Sequence, residues 1–112
     1  MARVLGAFMI LMVFASSAFA LTASWTPNTE TDMKEYGVYA CKVKGCVVER
    51  VPAQRIATVQ HPTVKWILSA DLIEGTLAVT ALDDVGNESG LSNQVPFDLQ
   101  APKNPAGVLV TK

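Results

Sequence analysis

Two segments of this 112-residue chain pass directly from alternating side chains into a turn. Residues 21–25 place Leu, Ala and Trp on one face and Thr and Ser on the other, and residues 27–32 are then rich in Pro, Asn and Asp. Residues 76–82 repeat this pattern before the Gly- and Asn-containing turn of residues 83–90. Alternation that ends in such residues is typical of antiparallel strands joined by tight turns. The sequence therefore predicts an all-β fold.

These segments, with Tyr36-Gly37-Val38-Tyr39 between them, resemble the fibronectin type III domains of bacterial secreted proteins. The shared motifs are a strand ending in Trp25, the turn Asn28-Thr29-Glu30-Thr31-Asp32, and Val79-Thr80-Ala81-Leu82-Asp83 followed by Gly86-Asn87-Glu88-Ser89 and Ser92-Asn93. The resemblance covers most of residues 21–98. It implies an immunoglobulin-like antiparallel β-sandwich, a scaffold that serves many tasks.

The resemblance and the alternation together predict which side chains face the core. They are Trp25, Tyr36, Val38, Leu77, Val79 and Ala81. The strands are expected at residues 21–25, 36–43, 47–51, 64–69, 76–82 and 91–99, and residues 56–59 are expected to continue the edge. Gly75 stands where many family members carry a buried Tyr, so the hydrogen bond of that Tyr is expected to be absent.

Residues 1–20 have the composition of a secretory signal peptide. Arg3 precedes the apolar run of residues 4–14, and Ala18-Phe19-Ala20 provides small residues for cleavage after Ala20. The alternative is an uncleaved membrane anchor, although the apolar run is shorter than the about 20 residues of a bilayer span. The predicted organisation is a signal peptide at 1–20, one domain at 21–100 and a segment at 101–112.

The charge of the chain argues against nucleic-acid binding. Residues 1–20 carry one of the nine basic residues and none of the ten acidic ones, so the exported form has a formal net charge of −2. Non-specific binding to nucleic acids depends on a surplus of Lys and Arg, which the exported form lacks.

Cys41 and Cys46 are the only cysteines, and export would bring them into an oxidising compartment. If the chain turns back near Gly45, the two side chains lie across a hairpin at a spacing that suits a disulfide. A loop this small should stabilise the fold by about 2 kcal/mol. A redox pair or half of a metal site is the alternative, but there is no Cys-x-x-Cys motif.

Residues 101–112 have the composition of the strand that opens such domains, but they follow the domain. One hypothesis is that they fold back onto residues 21–25 and fill the position of the first strand. A linker, or the first strand of another domain, is the alternative. A third option is exchange of this strand between molecules, which would produce self-association by edge-strand pairing.

The sequence offers little material for catalysis. It has one His and no nucleophile elbow, phosphate-binding Gly loop or metal-ligand cluster, so neither enzyme activity nor a cofactor is expected. An enzyme would have to use the turn carboxylates Glu30, Asp32, Asp83 and Glu88. Calcium binding around Gly86 is a weaker option, because the spacing departs from known calcium loops.

Trp66 and Tyr39 are the candidate residues for contact with a ligand. If Val64, Trp66 and Leu68 face inward, then Trp66 belongs to the core. If Ile67 faces inward instead, then Trp66 is exposed and can stack on a sugar or a protein partner. The inward face of residues 64–69 therefore stays open at this point.

The function expected from the sequence is that of a non-catalytic interaction module. It would be secreted, periplasmic or at the cell surface, and it would bind an unknown protein partner or itself. One alternative is a carbohydrate- or surface-binding accessory protein. Another is a membrane-tethered domain, which requires an uncleaved amino-terminal segment.

Overall fold

The computed structural model describes the backbone of residues 10–17 and 20–112 and the side chains of residues 10–13 and 21–112. Within these residues the protein contains antiparallel strands, one 3-10 turn at Pro52–Gln54 and no α-helix. The prediction of an all-β fold is thus confirmed. No helix in the described part of the chain has the length and apolar character that a membrane span requires.

The described strands form two sheets. They are β1 (Leu11–Ser17), β2 (Ala20–Trp25), β3 (Met33–Cys41), β4 (Arg55–Gln60), β5 (Lys65–Ile67), β6 (Glu74–Asp83) and β7 (Val95–Asp98). One sheet has the order β1-β2-β5 and the other β4-β3-β6-β7. Every pair is antiparallel. β3 and β6 lie in the centre of the larger sheet, which agrees with their long buried runs.

The core lies between the two sheets and consists of their inward-facing side chains. The six residues expected there are 0–4 % exposed and belong to one cluster: Trp25, Tyr36, Val38, Leu77, Val79 and Ala81. Phe97, Leu68 and Leu72 extend this cluster. The ring of Trp25 packs edge-on against Tyr36, with 5.4 Å between the ring centroids. Alternation along the strands therefore determines which face of each sheet is apolar.

The edge of the larger sheet differs from the prediction. Residues 47–51 form no strand, and the edge strand is β4, which begins at Arg55. Val48 instead packs on Tyr39 and Ala78 on the outer face of the sheet, and its backbone N–H and C=O bond the side chain of Gln94. A side chain thus satisfies the backbone groups that a neighbouring strand would otherwise take.

The fold-back of residues 101–112 onto β2 does not occur in this structure, in which β1 is present, and for the exported form it stays a prediction. These residues are exposed and form no strand. The position beside β2 belongs to β1, whose residues pair in register from Leu11 opposite Trp25 to Ser17 opposite Ala20. Since β1 lies within residues 1–20, the structure represents the chain before any cleavage, and the signal peptide stays a prediction. Residues 1–9 and 18–19 of this segment lie outside the described residues.

Candidate functional site

The most distinctive surface of the fold is the side of β2 that pairs with β1, here called the β2 edge (residues 21–25). Among the described side chains of β1, Leu11 is 2 % exposed and Val13 packs against the core cluster. Met12, between them, points outward and is 55 % exposed. The other side of β2 pairs with β5. Among the described residues, the strand that covers the β2 edge is β1, which cleavage after Ala20 would remove.

Asn93 fixes the start of β1. Its Oδ1 accepts a hydrogen bond from the Leu11 N–H (2.9 Å), and its Nδ2 donates to the Leu11 carbonyl (3.2 Å). The Thr26 N–H donates to the Ile10 carbonyl at 3.1 Å. The side-chain amide of Asn93 thus binds an incoming strand as a neighbouring backbone would. No sequence pattern indicates this role, because Asn is an ordinary turn residue at such a position.

The two cysteines form the disulfide predicted from the sequence, which is confirmed. Cys41 ends β3 and Cys46 follows the turn at Gly45, with 6.2 Å between their Cα atoms. The Thr76 hydroxyl donates to the carbonyl of Cys46 at 2.7 Å. The disulfide therefore lies where the chain leaves the larger sheet, and it anchors the segment that continues to Val48.

Tyr39 does not offer an exposed ring, which corrects its interpretation as a ligand contact. It points to the outer face of the larger sheet but is only 3 % exposed, because Val48 packs over it. Its hydroxyl donates to Glu88 Oε2 at 2.5 Å, and the Thr80 hydroxyl donates to the same oxygen at 2.7 Å. Burial, followed by the bond to Glu88, raises the pKa of Tyr39.

Trp66 is half-buried and packs against the core cluster together with Val64, whereas its neighbours Lys65 and Ile67 are exposed. Leu68 is buried. The inward face of residues 64–69 is therefore that of Val64, Trp66 and Leu68. Among the side chains that the structure describes, no aromatic ring is exposed as a platform.

The carboxylates considered for an enzyme or for calcium are engaged in the turns. Asp83 is 1 % exposed; its Oδ1 accepts the N–H groups of Val85 and Asn87, and its Oδ2 accepts the Asn87 side-chain amide. Glu88 Oε2 accepts hydrogen bonds from the hydroxyls of Tyr39 and Thr80. Among the described residues, no group of three or more His, Cys, Asp and Glu side chains is placed to hold a metal ion. Glu30 and Asp32 lie in the connection between β2 and β3.

A buried polar cluster closes one end of the core. The Tyr36 hydroxyl accepts the backbone N–H of Asn28 (3.1 Å) and lies 2.9 Å from His61 Nδ1. Because that hydroxyl has one proton, it donates to His61 when the imidazole is neutral with its proton on Nε2. This arrangement uses the single histidine of the chain for packing and hydrogen bonding.

Removal of the Glu88 carboxylate tests the hydrogen bonds that it accepts from the hydroxyls of Tyr39 and Thr80. We expect Glu88→Ala to lower the free energy of unfolding by about 2–4 kcal/mol, because it leaves the buried hydroxyls of Tyr39 and Thr80 without an acceptor. Glu88→Gln retains an acceptor oxygen and is the matched control, with an expected loss of less than about 1.5 kcal/mol. Urea unfolding curves measure both. Equal losses of unfolding free energy in the two variants would contradict the role of Glu88 as the acceptor for these two hydroxyls.

Comparison with known proteins yields a fold and no family. No family model matches the chain, and no curated protein matches it. Several solved structures are similar in fold, including the following three. Pectate lyase PelI from Erwinia chrysanthemi, in complex with tetragalacturonic acid, has a TM-score of 0.59 and 19 % identity, with 80 % of this chain and 28 % of that chain covered.

The second is pectate lyase Pel3 from Pectobacterium carotovorum, with a TM-score of 0.57, 15 % identity, and coverage of 90 % of this chain and 29 % of that chain. The third is the Clostridium perfringens spore cortex lytic enzyme SleM, with a TM-score of 0.54, 16 % identity, and coverage of 78 % and 25 %. The chain thus spans between a quarter and a third of the proteins it matches. Similarity at this level of identity concerns the fold alone.

Proposed function

We propose that the protein is an exported, non-catalytic β-sandwich module of the fibronectin type III type, which acts by binding another protein chain. The observation that carries this proposal is that side chains capable of chemistry are engaged in structure. Asp83 holds a turn, Glu88 accepts the hydroxyls of Tyr39 and Thr80, His61 bonds Tyr36, and the cysteines form a disulfide. What such a module can offer a partner is its sheet edges and surfaces.

The sandwich arrangement supports the fibronectin type III assignment. A sheet of three strands faces a sheet of four, and the chain passes from one sheet to the other after β2, after β4 and after β5, as expected for an immunoglobulin-like domain. The matched proteins contain an additional two thirds or more of chain, which agrees with this fold acting as one module of a larger protein. Export to the periplasm, the cell surface or the medium follows from the signal-peptide pattern of residues 1–20.

Carbohydrate binding is the second candidate, and one specific observation favours it. One of the similar structures is a pectate lyase in complex with tetragalacturonic acid. Against it stands the placement of the two aromatic residues it would need, since Tyr39 is buried and Trp66 packs on the core. We therefore rank it below a protein-binding module.

The experiment begins with expression of the full chain in a bacterial export host. The exported protein should have the mass of residues 21–112, and Ala18→Glu, which removes the small residue required near the cleavage site, should retain residues 1–20. If the wild-type protein retains residues 1–20 and is found in the membrane fraction, this result would instead support a tethered domain.

The same preparation is then incubated with tetragalacturonic acid. We expect the oligosaccharide to remain intact, and its cleavage would contradict the non-catalytic part of the proposal. Binding without cleavage, measured by calorimetry, would move the assignment to the carbohydrate-binding candidate.

A further inference from the structure

We infer that the exported form uses the β2 edge to accept residues 106–112 of a second copy in the place of β1. This inference rests on the proposed function, because it requires the removal of residues 1–20. It adds the identity of the partner and the site at which the partner binds.

Loss of β1 opens the core beside β2 and removes hydrogen-bond partners from the β2 backbone and from Asn93. The core loses the side chains of Leu11 and Val13, and the backbone of β2 loses its antiparallel neighbour. The side-chain amide of Asn93 loses both of its bonds to Leu11. An open edge beside an incompletely filled core favours the addition of a strand of the right pattern.

Residues 106–112 have that pattern. In β1, Leu11 and Val13 face inward around an outward Met12. Val108 and Val110 reproduce the spacing of the inward pair, and Leu109 takes the place of Met12. Val108, Leu109 and Val110 are 80 %, 84 % and 97 % exposed, so this segment has apolar side chains available for burial. The register therefore places Val108 opposite Trp25 and Val110 opposite Ala23.

The direction of the strands favours a second copy over the chain's own segment. β1 starts beside Asn93, two residues before β7 starts, and the two strands lie in contact. Because both strands start at the same end of the sandwich, we infer that they run in the same direction. The chain therefore leaves β7 at the end of the sandwich where β1 stops. To run antiparallel to β2, the segment of the same chain would first have to cross the length of the sandwich, about 20 Å for a strand of this size.

A segment from a second copy has no such constraint. Because the donor segment and the acceptor edge are different surfaces, each copy can donate to one neighbour and accept from another. The contact is heterologous, so assembly proceeds head to tail and its extent rises with concentration.

The test measures the mass of the exported form by sedimentation velocity over an approximately hundredfold range of concentration. We expect assembly beyond the monomer. Val108→Asp combined with Val110→Asp should shift the midpoint of assembly to at least about tenfold higher concentration, because two carboxylates would enter the core. Leu109→Asp combined with Thr111→Asp is the matched control, since both side chains face outward in this register, and its midpoint should stay unchanged.

A synthetic peptide of residues 101–112 provides a second measurement. In excess, it should occupy the β2 edge and convert assemblies into monomers. A correctly cleaved protein that is monomeric at every concentration would overturn the inference and leave the proposed function intact. A monomer that loses thermal stability only in the Val108/Val110 variant would also overturn it, because the chain's own segment would then fill the edge. Equal effects of the two double variants would overturn the register.

Discussion

Replacing Gly75 with Ala is expected to lower the free energy of unfolding by about 2–6 kcal/mol, a large share of the stability of a small domain. Gly75 has φ +152°, a conformation that side chains with a Cβ rarely adopt. A Cβ at this position would lie 1.9 Å from the carbonyl oxygen of Cys41. That oxygen belongs to the backbone of the neighbouring strand β3, so it cannot move without disturbing the pairing of β3 with β6.

Gly86→Ala is the matched control, because it separates backbone strain from collision. Gly86 also has a positive φ, +91°, but a Cβ there would meet no atom within 4 Å. We expect its loss to be about 1–2 kcal/mol, from backbone strain alone. Urea unfolding of the oxidised proteins measures both variants. Similar losses in the two would show that the approach of Gly75 to Cys41 does not constrain the sheet.

Gly75 illustrates what the sequence could and could not predict. The sequence indicated that Gly occupies the position of a family Tyr, which suggested only a missing hydrogen bond. The structure reveals a reason for Gly, because β3 passes too close for any side chain. That proximity depends on the pairing of Cys41 with Thr76, residues 35 positions apart, and no local pattern encodes it.

The inward faces of the sheets were predictable, because alternation is a local property of each strand. The cover on the outer faces was not. Alternation correctly turns Tyr39 away from the core, yet the ring is buried by Val48 and held by Glu88, 49 residues away. The expectation of Tyr39 as a possible ligand contact could not take this into account, because a side chain that faces away from one core can enter a smaller core on the other face.

Residues 11–17 show a different limit. A short apolar run is compatible with a signal peptide and also with a buried strand, because both require apolar side chains and little else. The structure places these residues as β1 beside β2. Residues 11–17 can have both roles in succession: as β1 they cover the β2 edge, and export then removes them with the signal peptide. Assembly through the β2 edge requires this order of events.

Tyr36 is the second position at which we expect a large effect, because it combines ring packing with a buried hydrogen-bond junction. Tyr36→Ala should lower the free energy of unfolding by about 3–5 kcal/mol, since it opens a cavity beside Trp25. Tyr36→Phe keeps the ring and should cost about 1–3 kcal/mol, because the buried N–H of Asn28 and the ring of His61 lose their partner. Unfolding curves followed by tryptophan fluorescence measure both variants.

The same variants give a prediction for alkaline pH. Burial, against a smaller opposing effect of the Asn28 N–H, raises the pKa of Tyr36 above the ordinary value of 10.0. Because the folded protein holds the phenol proton more tightly than the unfolded chain, the resulting stability is fully present below pH 10 and is lost as the pH rises through the raised pKa. Tyr36→Phe should therefore lose less stability between neutral and strongly alkaline pH than the wild type. Tyr39, whose pKa is also raised, remains in that variant, so the alkaline loss should shrink without disappearing. An unchanged alkaline loss in Tyr36→Phe would show that the buried hydroxyl of Tyr36 does not couple to folding.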